Sequence, residues 1–242
     1  MRIPRIFTPQ VLTTQSTIEL DDAAANHVSR VLRMGPSRKL FLFNGKEQCH
    51  FEGEIISAQR KNVSIKVLTQ IDTELESPLH IHLGQAISKG DRMDFTIQKS
   101  VELGINEITP LWTKHVDVKL NSERLEKKLN QWRQIAIAAC EQSGRDKVPV
   151  IHAPQELAAW LKGVDSQERW VLDPRGLKQD SNQTTVSSAC LLIGPEGGLS
   201  EQEIKHASES GFKAKLIGPR VLRTETAALT AISLLQSQWG DF

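Results

Sequence analysis

The stretch that decides the fold is CLLIGPEGGLSEQE, residues 190–203. An apolar strand runs into Gly194-Pro195-Glu196-Gly197-Gly198, and Ser200 with Glu203 forms a capping box that opens the next helix. Glycines in such a turn let the backbone approach a ligand closely, and the helix N-terminus presents unpaired N–H groups. The loop lacks the three glycines of the dinucleotide fingerprint GxGxxG, and no GK[ST] occurs in the chain, so a Walker A loop is excluded. Taken alone, the segment reads nearly as well as a tight strand-to-helix turn.

A second stretch changes that balance. In LIGPRVLRTETAALTA, residues 216–231, a strand ends at Gly218-Pro219 and a basic segment holds Arg220 and Arg223. Thr224-Glu225-Thr226 then opens a helix rich in Ala and Leu. Thr224 suits an N-cap, and Glu225 favours the positive end of the helix dipole. Two Gly-Pro strand ends, each leading into a helix, place two backbone loops together at the carboxyl edge of a sheet, where open α/β sheets bind ligands.

Outward from these loops, the chain alternates strands and helices from about residue 78. Leu79–Ile87 reads as a strand, Asp91–Leu103 as a helix, Ile108–Trp112 as a strand and Ser122–Gln142 as a long amphipathic helix. The alternation continues to a closing helix over Thr224–Trp239 and predicts a parallel α/β sheet. Residues 1–70 differ. Ile3–Phe7, Thr17–Leu20, Lys39–Phe43, Cys49–Ser57 and Val63–Leu68 are short strand-like runs around one helix that starts at Asp21-Asp22. Asn44-Gly45 is a hairpin signal. Close-set strands of this kind predict a small β-barrel. The acidic, polar stretch before Pro78 marks the hinge, giving domains 1–72 and 73–242.

Other clusters carry less. In SKGDRMDFTIQKSVELG, residues 88–104, Met93, Ile97 and Val101 form a buried stripe, with Lys89, Arg92, Lys99 and Glu102 elsewhere on the helix. WRQIAIAACEQSGRDKVP, residues 132–149, ends a helix with Glu141, Gln142, Ser143 and Arg145 near a strand edge. VLDPRG, residues 171–176, superficially matches a Rossmann methyltransferase loop, but the second and third glycines are missing and the match is rejected. His80 and His82 share a strand face and Cys49-His50 are adjacent, yet neither pair belongs to a ligand set at usable spacing, so no metal is expected. No GxSxG elbow supports serine chemistry.

The 242 residues carry 30 Lys+Arg and 29 Asp+Glu, a net charge of +1 that by itself argues weakly against nucleic acid. Regional counting alters the reading. Residues 1–72 hold 10 basic and 7 acidic residues, whereas 73–242 hold 20 and 22. With 5% aromatics and no tyrosine, a platform of stacking rings is disfavoured for RNA, leaving arginines. Three cysteines without a CxxC pair exclude a disulfide framework. The start MRIPRIFTPQ has no apolar core of a signal peptide, and no run is long enough to span a membrane, so a cytoplasmic setting is expected.

IGPEGGLS (193–200) with LIGPRVLRTETA (216–227) resembles the cofactor-loop signature of the SPOUT methyltransferases. Within them the chain is similar to the bacterial 16S rRNA uridine-N3 methyltransferase family (RsmE-type). KGDRMDFTIQKSVELGI (89–105), WRQIAIAACEQSGR (132–145), and RIPRIF with HVSRVLRMG (27–35) carry the likeness from end to end. Val221, where that family often has Ile, is the one visible departure in the last motif. The resemblance implies a PUA-like N-terminal barrel that helps bind RNA, then a SPOUT α/β domain with a C-terminal trefoil knot, assembled as a homodimer. It places S-adenosylmethionine on Gly194, Pro195, Glu196 and Gly197 of the first loop, and on Leu216, Gly218, Val221, Leu222, Arg223 and Thr226 of the second.

The implied reaction methylates N3 of a uridine in the decoding region of 16S rRNA, as naked RNA or in the assembled small subunit. N3 of neutral uracil carries a proton, so the site needs a base or cations that stabilise the uracil anion. Arg223 and Arg145 are the candidates for charge stabilisation and Glu141 for the base. Arg2, Arg5, Arg30, Arg33, Lys89 and Arg92 are the candidates for holding phosphates. The competing reading is a non-catalytic RNA-binding ribosome-assembly factor with vestigial cofactor loops; the intact pair of loops weighs against it.

Overall fold

The computed structural model describes residues 3–59, 62–116, 122–178 and 185–242. It contains two compact units. The first comprises Met1–Glu76 together with Ile137–Val148, a segment that chain order puts far into the second sequence region, and the second comprises Ser77–Ala136 and Pro149–Phe242.

Among the described residues, the first unit is built on a five-stranded sheet of β1 (Arg5–Phe7), β2 (Thr17–Glu19), β3 (Lys39–Phe43), β4 (Cys49–Gln59) and β5 (Asn62–Asp72), in the order β1-β3-β4-β5-β2. β3, β4, β5 and β2 pair antiparallel, and β1 lies parallel to β3. Asn44-Gly45 does turn β3 into β4, with Gly45 at φ +77° and the Asn44 side chain accepting from Lys46 N–H at 3.1 Å. Alternate residues of these strands bury Leu40, Leu42, Ile55, Val63, Ile65 and Val67 on one face. Helix α1 (Asp22–Asn26) is capped by Asp21, whose carboxylate accepts from Ala23 and Ala24, and a wider helical turn over His27–Val31 continues it.

In the second unit, β6 (His80–Ala86), β7 (Glu107–Trp112), β8 (Val150–Ile151), β9 (Gln155–Glu156), β10 (Glu168–Lys178), β11 (Ser188–Ile193) and β12 (Lys213–Leu216) form a wholly parallel sheet. Its order is β12-β10-β11-β6-β7-β8, with β9 also beside β7. Every parallel crossover needs covering helices, and these are α2 (Arg92–Glu102), α3 (Ser122–Ser143), α4 (Leu157–Gly163), α5 (Glu201–Glu209) and α6 (Thr224–Trp239). The last turns of α3 belong to the first unit. Cys190 and Leu192 of β11 pack with Trp160 and Leu161 of α4 and with Phe212. By strand alternation, Leu191 and Ile193 face the other side, where α6 lies against β11 and β6 and packs on α2. The expected stripe Met93, Ile97 and Val101 is fully buried there.

The order of connection reverses between β6 and β11. From β6 the chain moves outward to β7, while β10, β11 and β12 fill in on the opposite side. The crevice beyond the carboxyl ends of these two strands is therefore the topological switch point.

Candidate functional site

A cavity of about 1110 Å³ opens at that edge, built wholly from the second unit. The first Gly-Pro loop contributes Gly194, Pro195 and Glu196, and the second contributes Leu216, Gly218, Val221, Leu222 and Arg223. Each loop makes its turn with a glycine in the left-handed region, Gly198 at φ +70° and Gly218 at φ +72°. The capping box of α5 is formed as its sequence spacing requires: the Ser200 hydroxyl accepts from Glu203 N–H while Ser200 N–H donates to Glu203 Oε2 at 2.8 Å. Val221 is 86% exposed, an apolar side chain held at the rim with no protein cover.

Two expected residues miss the wall. Gly197 turns toward the His115 side chain, whose Cβ would sit 3.1 Å from an added methyl group. Thr226 is exposed on α6, and Ala227 takes its place in the cavity. The cause is helix phase, since residues 223, 224 and 227 share a face and 226 does not.

Sequence reasoning missed the rest of the wall. Leu172, Asp173 and Arg175 come from the end of β10, the VLDPRG stretch rejected as a Rossmann loop, and Lys114 and His115 follow β7. Asp173 accepts from the Arg175 backbone N–H at 2.9 Å and from its Nε and Nη2 at 3.1 and 3.0 Å. Burial raises the Asp173 carboxyl, but these bonds outweigh it and leave the pKa below the usual range. The His115 ring donates to the Gly198 carbonyl at 2.9 Å, and Lys114 N–H donates to Glu203 at 2.8 Å, so the segment after β7 braces the first loop.

Arg92 and Lys89, expected on phosphates, stand at the switch point. Arg92 Nη1 donates to Glu196 Oε1 at 2.8 Å, and Lys89 N–H reaches the same oxygen at 3.3 Å. Arg30 and Arg33 are exposed. Arg2 lies outside the described residues.

Three expectations need correction. Arg5 is buried: its guanidinium pairs with Asp146, itself 1% exposed, and stacks 5.1 Å from the Phe43 ring centroid, so it has no face for a phosphate. Arg145 is equally spent, with Nε at 3.1 Å and Nη2 at 2.5 Å from the two oxygens of Glu76. Glu141 accepts from Phe7 N–H at 3.0 Å and anchors β1. Burial pushes the Glu141 carboxyl up, against the lowering effect of that bond. All three belong to the first unit and hold it together.

Histidines that look scattered in sequence are gathered by the sheet. At the opposite end of the strands, ligand-type atoms of His82, Glu107 and His152 lie within 4.8 Å of one another. His152 Nε2 donates to Glu107 at 2.6 Å, and His82 Nε2 is 2.8 Å from Thr109 Oγ1. The three cysteines are buried, and burial pushes the Cys49 and Cys140 thiols up to about 11 and about 12, removing any nucleophilic role.

Comparison with known proteins decides the family. The family model of the RNA methyltransferase domain matches residues 75–236. Ribosomal RNA small subunit methyltransferase E of Buchnera aphidicola subsp. Schizaphis graminum is 38% identical over 99% of this chain and 98% of its own length. The chain belongs to the ribosomal RNA small subunit methyltransferase E family. A solved member from Neisseria gonorrhoeae, bound to S-adenosyl methionine, superposes with a TM-score of 0.92 at 38% identity over the whole of both chains. A Legionella pneumophila protein described as a methyltransferase, in complex with the bound cofactor S-adenosylmethionine, gives 0.96 at 41% identity, again over both full chains. These members share the mixed α/β architecture, with its small sheet and parallel sheet, described above. Among the described residues no helix is long and apolar enough to cross a membrane.

Proposed function

We propose that this protein transfers a methyl group from S-adenosylmethionine to N3 of a uridine in the decoding region of 16S rRNA. The observation that carries this reading is the single cavity walled by both Gly-Pro loops at the topological switch point. Its residues fit the methyl donor. The volume suits a ligand of that size, Leu172, Ile193, Leu216 and Leu222 offer an apolar bed, and the glycine turns bring main-chain polar groups to the surface. Open space around the Cα of Gly218 leaves room for a ligand against the backbone.

When bound, the donor supplies an electrophilic methyl on a sulfonium. The chain's own part is positioning and charge. Asp173, Glu196 and Glu201 are the carboxylates of the wall, suited to a cationic ligand, and Arg223 stands exposed at the lip, suited to charge that develops on the uracil oxygens. Arg30 and Arg33 of the first unit suit phosphates. The PUA-like character of that unit, the trefoil knot, a homodimer and a cytoplasmic location belong to the same reading. The tie from Thr224, at the start of α6, to the Gly194 carbonyl holds the two loops together, as that reading requires.

The test uses full-length protein with tritiated S-adenosylmethionine, on naked 16S rRNA and on small subunits from a strain lacking the protein, with modified positions mapped by mass spectrometry. One methylated uridine N3 is expected, with Arg223→Ala folded but nearly inactive. Absence of donor binding by calorimetry would instead favour the assembly-factor reading.

A further inference from the structure

A second cavity, of about 610 Å³, adjoins the first beyond the carboxyl end of β6. Lys89, Gly90, Asp91, Arg92, Phe95 and Glu225 line it. Of these six residues, only Arg92 also lines the donor cavity, so the two cavities share that residue. Phe95 is 45% exposed on α2, although its helical neighbours Met93 and Ile97 are fully buried. An aromatic ring left in water costs free energy and offers a flat face to stack on. Glu225 Oε2 is buried and has no hydrogen-bond partner among the described residues. A buried carboxylate oxygen left unpaired is costly and calls for a partner, and among the described residues Glu225 holds the one carboxylate oxygen so placed.

We propose that this cavity is the nucleobase site: Phe95 stacks on the extruded uracil, Glu225 accepts the N3 proton, and Arg92 with Lys89 stabilises negative charge on the ring oxygens. The inference rests on the uridine-N3 reading above and assigns its base, the role that Glu141 does not fill. It also moves Lys89 and Arg92 from phosphates to the base. Atoms balance simply. The N3–H bond breaks and its proton passes to Glu225, the freed pair forms the N–CH3 bond, and the S–CH3 bond of the donor breaks with its pair left on sulfur. The same carboxylate sets specificity. Uracil presents a donor at N3, whereas cytosine presents a lone pair there, which a carboxylate repels.

The experiment measures single-turnover methyl transfer by the full-length protein to small subunits reconstituted with rRNA containing uridine or 5-fluorouridine, whose N3 proton is more acidic. Calorimetry of S-adenosylmethionine and anisotropy of labelled rRNA are run in parallel. Glu225→Gln should slow transfer to uridine by ~100-fold or more and recover at least about tenfold of that loss on 5-fluorouridine. Its donor and RNA affinities should be unchanged. Phe95→Ala should weaken RNA binding about tenfold while donor binding and the thermal melt stay native. Native-rate transfer by Glu225→Gln, an equal deficit on both substrates, or loss of donor binding would overturn the proposal. Failure of the native protein to methylate uridine N3 would instead overturn the functional reading.

Discussion

The Thr224 hydroxyl donates to the Gly194 carbonyl at 2.8 Å and accepts from Gln85 Nε2 at 2.9 Å. One side chain at the start of α6 thus ties the loop after β11 to the end of β6, and fixes the second Gly-Pro loop against the first. Thr224 is 6% exposed and Gln85 fully buried, so neither bond is exchanged for water. A change at this hydroxyl therefore acts on the shape of the cavity.

Thr224→Val keeps the volume and removes both bonds. S-adenosylmethionine affinity should fall about tenfold, the value of one or two buried hydrogen bonds, with the melt only slightly lowered. Thr224→Ser should restore most of it. Native affinity in the Val variant, measured by calorimetry, would show that the loops are held by other contacts.

Asp146 accepts from Arg5, lies 3.3 Å from His50 Nδ1 and accepts from the Thr73 hydroxyl at 2.6 Å. Asp146→Ala strands the Arg5 cation in a buried site and should destabilise the first unit by about 3–5 kcal/mol in urea unfolding. Replacing both residues with Arg5→Met and Asp146→Leu should recover much of that loss. An Ala variant as stable as the native protein would refute the structural role given to Arg5.

Burial pushes His82 down to about 4 from its ordinary 6.5, with Glu107 acting the other way. The folded state thus binds fewer protons than the unfolded chain between these values, and stability present above pH 6.5 is lost as pH falls toward 4. With partial exposure taken into account, the loss should be about 1–2 kcal/mol. Glu107, also lowered, adds in the same direction at still lower pH. His82→Gln should flatten the melting-temperature profile over this window, and parallel profiles for variant and native protein would exclude His82 as the cause.

The two loops at the heart of the site were legible because their signal is local: Gly-Pro strand ends and a capping box need no distant partner to be read. The parallel sheet followed from alternation alone. Helix phase displaced Thr226, which the family resemblance had implied. Asp173 and His115 were invisible because strand order, not spacing, carries them to the cavity. Arg5 and Arg145 were legible as charges but not as buried ones, since their partners lie 141 and 69 residues away. Glu225 was read only as a charge suited to the start of its helix and Phe95 was not singled out; their meaning comes from α2 packing on α6.

The enclosure of residues 137–148 within the first unit has a consequence for synthesis on the ribosome. At ~5–20 residues per second, Arg5 emerges on the order of 7–30 s before Asp146 can meet it. The N-terminal sheet can begin to pair at once, yet its ionic core stays open through that interval. Nascent chains stalled before residue 137 should be cut readily by protease near Arg5, and those stalled well beyond residue 148 should be resistant.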